Sequence, residues 1–207
     1  MTAQTTPREY QHQLRSLFAV LRTLVRHTKE GRTSVEEYAA HLEGRIGALA
    51  RVHEILMRAP GEGADLYELV YGEFISQVIP ETSFLASGPE VRIAPRSATA
   101  LTLAFHELTV NALTHGALST ATGRAEVTWN IETLSGESWL NLDWKEFGAG
   151  LPQDPLATKG FGNELIERML PYELSARTTL STTREGIYVQ LQIPAIAGNI
   201  IWRHAAV

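Results

Sequence analysis

The sequence predicts an α+β protein in which an N-terminal helical hairpin, residues 1–60, precedes a mixed domain of helices and strands, residues 61–207. Two early stretches carry apolar residues at helical spacing, and a segment rich in proline and glycine follows them at residues 59–63. The rest of the chain mixes helical periodicity with strands that alternate every second residue. A layer of helices over a mostly antiparallel sheet buries such a mixture economically.

The first predicted helix lies between Arg8 and Lys29, a stretch without glycine or proline. Gly31 ends it, and Ser34 with Glu37 three positions later forms a capping box that begins the second helix. The apolar stripes of the two helices are Leu14, Leu17, Phe18, Leu21, Leu24 and Val25, and then Tyr38, Leu42, Ile46, Leu49, Val52 and Leu56.

The short turn between these helices makes an antiparallel hairpin with one long apolar face uncovered. Two such hairpins bury their faces at the lowest cost when they meet as a four-helix bundle. We therefore predict a homodimer.

The second domain is predicted to start with a helix and to end with strands. Its predicted elements are a helix at Leu66–Ile79, an extended piece at Glu90–Ile93, a helix at Ser97–His115, a hairpin of Ala125–Ile131 and Trp139–Trp144 around Leu134–Glu137, a helix at Gly160–Leu170, and strands at Glu173–Ser181 and Gly186–Ile193.

Composition excludes several classes of function. The 18 basic and 23 acidic residues give a net charge of −5, the wrong sign for a protein that neutralises nucleic-acid phosphates. The absence of cysteine removes disulfides, thiolate metal sites and cysteine nucleophiles, and no His/Asp/Glu cluster has the spacing of a zinc site. No apolar run reaches the length of a membrane span, and the N-terminus does not look like a signal peptide, so we expect a cytoplasmic protein.

The helix at Ser97–His115 carries the first candidate site. Glu107 and Asn111 are an i, i+4 pair beside the face predicted to be buried. Carboxylate and amide oxygens suit Mg²⁺, which needs few protein ligands when a nucleotide supplies the rest. The alternative is an ordinary solvated helix face. The face predicted to be buried consists of Leu101, Phe105, Leu108 and Ala112.

Two glycine-bearing segments suggest how a nucleotide could fit. Residues 143–150 leave a strand with a carboxylate followed by two glycines, and Gly160-Phe161-Gly162 opens a helix. A carboxylate can accept a hydrogen bond from the adenine amine, and N–H groups at a helix start favour an anion. Taken singly, such glycines most often only end strands.

His12 is a candidate nucleophile on the first helix. It lies roughly 160° around the helix from Leu14, so its imidazole points away from the apolar seam. The alternative is a surface histidine without a chemical role.

Together these segments resemble the core of histidine kinases of the HWE type, a subfamily named for a histidine in the N-box and a Trp-x-Glu element. Residues 106–118 resemble the N-box, and residues 144–150, which begin Trp144-Lys145-Glu146, resemble the first glycine box. Residues 160–166 resemble the second glycine box, and His12 falls where the family carries its phospho-accepting histidine.

The resemblance implies a phosphotransfer hairpin followed by an α/β sandwich of the gyrase type (Bergerat, or GHKL). It implies an enzyme that phosphorylates His12 from Mg·ATP and passes the phosphoryl group to a response-regulator aspartate. By resemblance Asn111 binds Mg²⁺, Glu107 polarises the attacking group or a metal-bound water, and Glu146 reads adenine. The same resemblance assigns to the nucleotide pocket His106, Trp144, Gly148, Gly150, Gly160, Phe161 and Gly162, with Lys159 as a further candidate for phosphate contact.

Two other functions stay open. The family usually has His-Arg-x-Lys-Asn at the phospho-acceptor, whereas this chain has His12-Gln13-Leu14-Arg15-Ser16. A histidine phosphotransferase relay module with a degenerate nucleotide site is the first alternative, and an anti-sigma-type Ser/Thr kinase is the second. Because no sensory domain precedes the hairpin in this sequence, we expect either a separate sensor protein or a longer parent chain.

Overall fold

The computed structural model describes residues 21–22, 25, 34–148, 161–182 and 187–201. The predicted first helix therefore lies almost entirely outside the described residues, as do His12, Gly150, Lys159 and Gly160. The described elements are α1 (Val35–Arg58), β1 (Ala64–Asp65), α2 (Leu66–Ser76), β2 (Phe84–Ser87), β3 (Arg92–Ile93), α3 (Pro95–Thr114), β4 (Arg124–Leu134), β5 (Glu137–Phe147), α4 (Phe161–Glu164), a π-helical turn (Leu165–Met169), α5 (Leu170–Leu174), β6 (Arg177–Thr182), β7 (Ile187–Pro194) and β8 (Ile200–Ile201), with 3₁₀ turns at Glu81–Ser83 and Ala117–Ser119.

The main sheet has five strands in the order β2-β4-β5-β7-β6. Only the β2–β4 pair is parallel, so the prediction of a mostly antiparallel sheet is confirmed. The predicted hairpin of β4 and β5 is also confirmed, and its turn residues Ser135 and Gly136 have φ values of 54° and 86°. Two successive positive φ values are typical of the turn that matches the twist of a tight hairpin. A second, three-stranded sheet has the order β1-β3-β8.

Several predicted element boundaries differ from the structure, among them those of the helix after Leu66 and of the strand after Glu173. The helix predicted to reach Ile79 ends at Ser76, and exposed Val78 follows it with a φ of 58°. The strand predicted from Glu173 starts at Arg177, because α5 occupies the residues before it and Ser175 ends that helix in the left-handed region. The sequence analysis also missed the parallel strand β2.

Helix α3 lies between the sheet and α1. The four residues predicted to form its buried face are buried. All the remaining residues between 101 and 109 are buried as well. The interpretation of its polar side as an ordinary solvated face is therefore wrong, because α1 covers that side.

Helix α1 begins where the capping box predicts, since the Glu37 amide donates to Ser34 Oγ at 3.1 Å. Leu49 and Val52 of its predicted stripe pack into the core of the second domain, whereas Ile46 is 43% exposed. The face of α1 that is buried consists of Arg45, Ala48, Leu49 and Val52.

The predicted boundary near residue 60 and the dimeric bundle stay predictions. Within the described ranges, we find no helix with the length and apolar character that a membrane crossing requires.

Candidate active site

The N-box begins inside α3 and ends in the turn that follows it. The amides of His115 and Gly116 both donate to the Asn111 carbonyl at 2.9 Å, which closes the helix. Ala117 then starts a 3₁₀ turn. The N-box therefore consists of a helical part, which contains Glu107 and Asn111, and of a tight turn that follows the end of the helix.

Glu107 is paired with an arginine from α1. Arg45 Nε donates to Glu107 Oε1 at 2.7 Å and Arg45 Nη2 to Oε2 at 2.9 Å. The side chains are 1% and 7% exposed, and the guanidinium carbon lies 4.1 Å from the centre of the Phe161 ring. A bidentate pair of this kind fixes the plane of the carboxylate as well as its charge.

His106 is held by a second carboxylate. Its Nδ1 lies 2.8 Å from Glu73 Oε1, and Arg51 Nη2 donates to Glu73 Oε2 at 2.5 Å. Burial acts to raise the pKa of Glu73, but the hydrogen bonds and charges of His106 and Arg51 outweigh it and hold that pKa below its usual value. The His106 side chain is 3% exposed.

Glu146 of the first glycine box accepts hydrogen bonds from two neutral donors of the described residues. The Ala117 amide donates to its Oε2 at 2.9 Å and Trp144 Nε1 to its Oε1 at 3.1 Å. Burial raises the pKa of Glu146, and these two hydrogen bonds only partly offset that effect. A Cβ on Gly116 would lie 2.1 Å from Oε2, so this carboxylate needs a glycine at the end of the N-box.

The two glycine boxes meet different parts of the N-box. A Cβ on Gly148 would lie 3.3 Å from the Ala117 Cβ. A Cβ on Gly162 would lie 3.2 Å from Asn111 Nδ2 and 3.3 Å from the Glu107 Cβ. The backbones of both boxes therefore approach the N-box closely, and we refer to these three segments together as the cradle.

The donor set of this cradle fits a magnesium nucleotide. Glu107 and the half-buried Asn111 offer the hard oxygen atoms that Mg²⁺ prefers. Glu146 keeps further acceptor capacity for an amine, because a carboxylate has about four acceptor sites.

Comparison with known proteins shows a similarity to histidine kinases. Residues 9–90 match the HWE histidine kinase family. The chain is 30% identical to the blue-light-activated histidine kinase of Rhizobium johnstonii over 189 residues, which cover 90% of this chain and 52% of that protein. The chain is therefore similar to HWE histidine kinases over most of its length. It is also 28% identical to the Brucella ovis protein of the same description, over 90% of this chain and 38% of the relative. The chain spans about half or less of these relatives' length.

Solved structures of the same description share the fold. The blue-light activated histidine kinase EL346 of Erythrobacter litoralis superimposes with a TM-score of 0.61 and 16% identity, covering 94% of this chain and 62% of that one. The separate histidine kinase domain of EL346 gives 0.55 and 18%, covering 86% and 93%. The predicted fold class, a helical region followed by a gyrase-type α/β sandwich, is confirmed.

Three of the described candidate residues, Trp144, His106 and Phe161, have buried side chains that contact protein groups. Trp144 is fully enclosed and stacks on Phe74 with the ring centres 5.5 Å apart. His106 and Phe161 are each 2% exposed, and their side chains contact protein groups. Trp144 donates to Glu146, His106 contacts Glu73, and the Phe161 ring covers Arg45, and the assignment of these three residues to the nucleotide pocket stays a prediction.

The sequence did not predict three residues that contact the N-box or its partners, namely Arg45, Arg51 and Glu73. Each lies on a helix for which the sequence pattern considers only the apolar residues and not the charged residues beside them. The available signal was the spacing of Arg45, Ala48, Leu49 and Val52, which puts an arginine on the same helical face as three apolar residues.

Proposed function

We propose that this chain is an ATP-dependent protein-histidine kinase that phosphorylates its own His12 and passes the phosphoryl group to an aspartate of a response regulator. The observation that supports it most is the convergence of Glu107, Asn111 and Gly162, because a Cβ on this glycine would lie 3.2 to 3.3 Å from atoms of the other two residues. The similarity to HWE histidine kinases gives that convergence its chemical interpretation.

The described residues divide the binding of the nucleotide between them. Asn111 gives its amide oxygen to Mg²⁺, and Glu107 accepts from a metal-bound water or from the attacking group. Glu146 accepts from the adenine amine, held in place by the Trp144 indole and the Ala117 amide. Mg·ATP, when bound, supplies the γ-phosphoryl group.

The transfer itself needs position and charge more than covalent help from the protein. An imidazole nitrogen of His12 forms a bond to the γ-phosphorus while the bond from that phosphorus to the β–γ bridging oxygen breaks, and ADP leaves. Phosphoryl transfer passes through a loose transition state, so the protein contributes mainly alignment and charge stabilisation. In the second step a carboxylate oxygen of the response regulator takes the phosphoryl group, and the imidazole is regenerated.

The assembly follows from the same proposal. The hairpin forms a homodimer through a four-helix bundle, and the input comes from a separate sensor protein or from a further part of the parent chain. A receiver domain of a response regulator is the phosphoryl acceptor, and the reaction takes place in the cytoplasm.

The proposal is tested by incubating the purified chain with γ-labelled ATP and Mg²⁺. We expect a label that is lost in acid and kept in base, present in the wild type and absent in His12→Ala. His53→Ala is the matched control, because His53 is an exposed histidine of α1. Equal labelling of the wild type and His12→Ala would refute the nucleophile. Absence of label from the wild type, together with phosphoryl uptake from a phosphorylated regulator, would replace the kinase by the relay module.

A further inference from the structure

Arg45 is a charged residue at a place where helices usually bury apolar ones. It belongs to α1, in the predicted hairpin, whereas its partner Glu107 lies in the second domain, 62 positions further along the chain. Its side chain is 1% exposed. Burying a guanidinium is costly unless its charge and hydrogen bonds are satisfied, so a structural requirement for packing alone would favour an apolar residue here.

The contact is built for orientation. Two parallel hydrogen bonds of 2.7 and 2.9 Å hold both oxygens of Glu107, and the ring of Phe161 covers the guanidinium at 4.1 Å. A carboxylate held at two points cannot rotate about its own axis, and lysine, a point donor on a flexible stem, cannot reproduce that constraint. The N-box carboxylate is thus fixed from outside its own domain.

The neighbouring contact fixes α1 at the same place. Arg51 reaches Glu73, and Glu73 reaches His106, the residue directly before Glu107. Gly44, directly before Arg45, lets the two helices approach closely, since a Cβ there would lie 2.9 Å from His106 Nε2. The docking of α1 therefore sets the position from which Arg45 acts.

We infer that Arg45 is a positioning residue for the phosphoryl transfer proposed above, which acts through the two-point hold of its guanidinium on the Glu107 carboxylate. The inference rests on the proposed function. It makes the second helix of the hairpin part of the catalytic apparatus: the correct alignment of Glu107 exists only while α1 is docked on the N-box. Loss of Arg45 then slows the chemical step without weakening nucleotide binding to the same degree, because Arg45 acts on an aligned group and not on the nucleotide.

The test compares Arg45→Met, which keeps the length of the side chain and removes its charge, with Arg45→Lys and the wild type. We expect Arg45→Met to lower the rate of autophosphorylation about 10- to 100-fold while the Kd for Mg·ATP changes less than about threefold. Arg45→Lys should recover part of the rate. Arg58→Met is the matched control, because Arg58 lies on the same helix and pairs with Glu68 at the surface, where the two side chains are 65% and 38% exposed.

Several results would overturn the inference. An unchanged rate in Arg45→Met would do so, and so would an increased rate, since α1 would then restrain Glu107 instead of aligning it. Equal losses in rate and affinity would show that Arg45 contacts the nucleotide. If Arg45→Met has no cooperative unfolding transition, the comparison of Arg45→Lys with Arg58→Lys decides: a lower rate at unchanged affinity supports the inference, and an unchanged rate overturns it.

A spectroscopic measurement separates this inference from the proposed function. In the ligand-free full chain, the Nε–H of Arg45 should give a slowly exchanging ¹H–¹⁵N NMR signal that disappears or moves in Glu107→Gln, while the signal of exposed Arg58 exchanges rapidly. A wild type that shows this signal but transfers no phosphoryl group refutes the kinase proposal and leaves the Arg45–Glu107 contact standing. A wild type that is active but lacks the signal refutes the positioning role.

Discussion

Glu73 and Glu146 are equally buried, at 2% exposure each, yet their pKa values move in opposite directions. Glu73 faces a histidine and an arginine, which lower its pKa in spite of burial. Glu146 faces a backbone amide and an indole, which do not overcome the effect of burial. The type of donor, and not the depth of burial, therefore decides which carboxylate is firmly ionised.

The comparison divides the N-box into two sides. On the side of His106 and Glu107, Glu107 pairs directly with Arg45 of α1, and His106 is connected to Arg51 of α1 through Glu73 of α2. The side of Ala117 is tied to the first glycine box by neutral hydrogen bonds to Glu146, which leaves that carboxylate with acceptor capacity for a ligand. The charged side is expected to determine stability and alignment, and the neutral side nucleotide affinity.

The largest effect is expected from Asn111→Asp, which adds a carboxylate between the two sides. The new charge repels phosphate oxygens and removes the amide donor, while the half-buried position tolerates the nearly equal volume. We expect phosphoryl labelling from Mg·ATP to fall more than about 100-fold, with an unchanged far-ultraviolet circular dichroism spectrum. Asn130→Asp, on an exposed part of β4, is the control. Full labelling of Asn111→Asp would refute the metal assignment.

Glu73→Gln should affect mainly stability. It leaves the buried His106 and Arg51, whose side chain is 33% exposed, without their anionic partner, and the free energy of unfolding at pH 7 should fall by about 3 kcal/mol. Denaturant titration measures this change. Glu68→Gln, in an exposed pair with Arg58, should cost less than about 1 kcal/mol. If Glu73→Gln is as benign as its control, the charged side of the N-box does not stabilise the fold.

Glu146→Gln should affect mainly binding. The amide group turns one acceptor into a donor, so one of the N–H groups of Trp144 and Ala117 loses its partner and the side chain no longer presents two acceptors. We expect the Kd for Mg·ATP to rise about tenfold, while the cost of the unpaired N–H group, about 1 to 3 kcal/mol, is partly offset because the variant no longer buries a charge whose pKa burial raises. Calorimetric titration measures the first quantity and denaturant unfolding the second. An unchanged Kd would contradict the adenine assignment.

The smallest effects are expected in the pH dependence of stability, where the two carboxylates should differ in sign. The folded-state pKa of Glu73 is lower than its unfolded value near 4.5, so its contribution is present above that pH and is lost as the pH falls through the folded pKa. The folded-state pKa of Glu146 is higher, so its contribution is present below pH 4.5 and is lost as the pH rises through the folded pKa.

Unfolding free energies measured from pH 3 to pH 7 test this difference. The stability gap between the wild type and Glu73→Gln should shrink toward pH 3. The stability of the wild type relative to Glu146→Gln should instead improve as the pH falls. Parallel pH profiles for the two variants would contradict the division of the N-box into a charged and a neutral side.

Local patterns were sufficient to predict much of the fold. The capping box at Ser34 and the hairpin turn at Ser135 and Gly136 depend on residues a few positions apart, and the structure has both. The burial of Trp144 and Glu146 was also predictable from the sequence. Both continue the period-two pattern of Leu140 and Leu142, and all four residues lie on the same buried face of β5. The period-two pattern had been followed only as far as the tryptophan.

The charged contacts were out of reach for a different reason. Arg45 and Glu107 are 62 positions apart, and Glu73 and His106 are 33 apart. Such pairs are decided by which face of α1 docks on α3, and the apolar stripe of α1 is equally compatible with a bundle. Helical periodicity predicts the face of the helix on which an arginine lies. It does not predict which other element packs against that face.

The proposed function requires that the N-box and the two glycine boxes form one magnesium-nucleotide site. Calorimetric titration of the purified wild-type chain with a non-hydrolysable ATP analogue, with and without Mg²⁺, tests this claim directly. We predict one site per chain whose affinity falls at least about tenfold when Mg²⁺ is withheld. Absence of binding heat in the wild type at several temperatures, with a cooperatively folded chain, would contradict it.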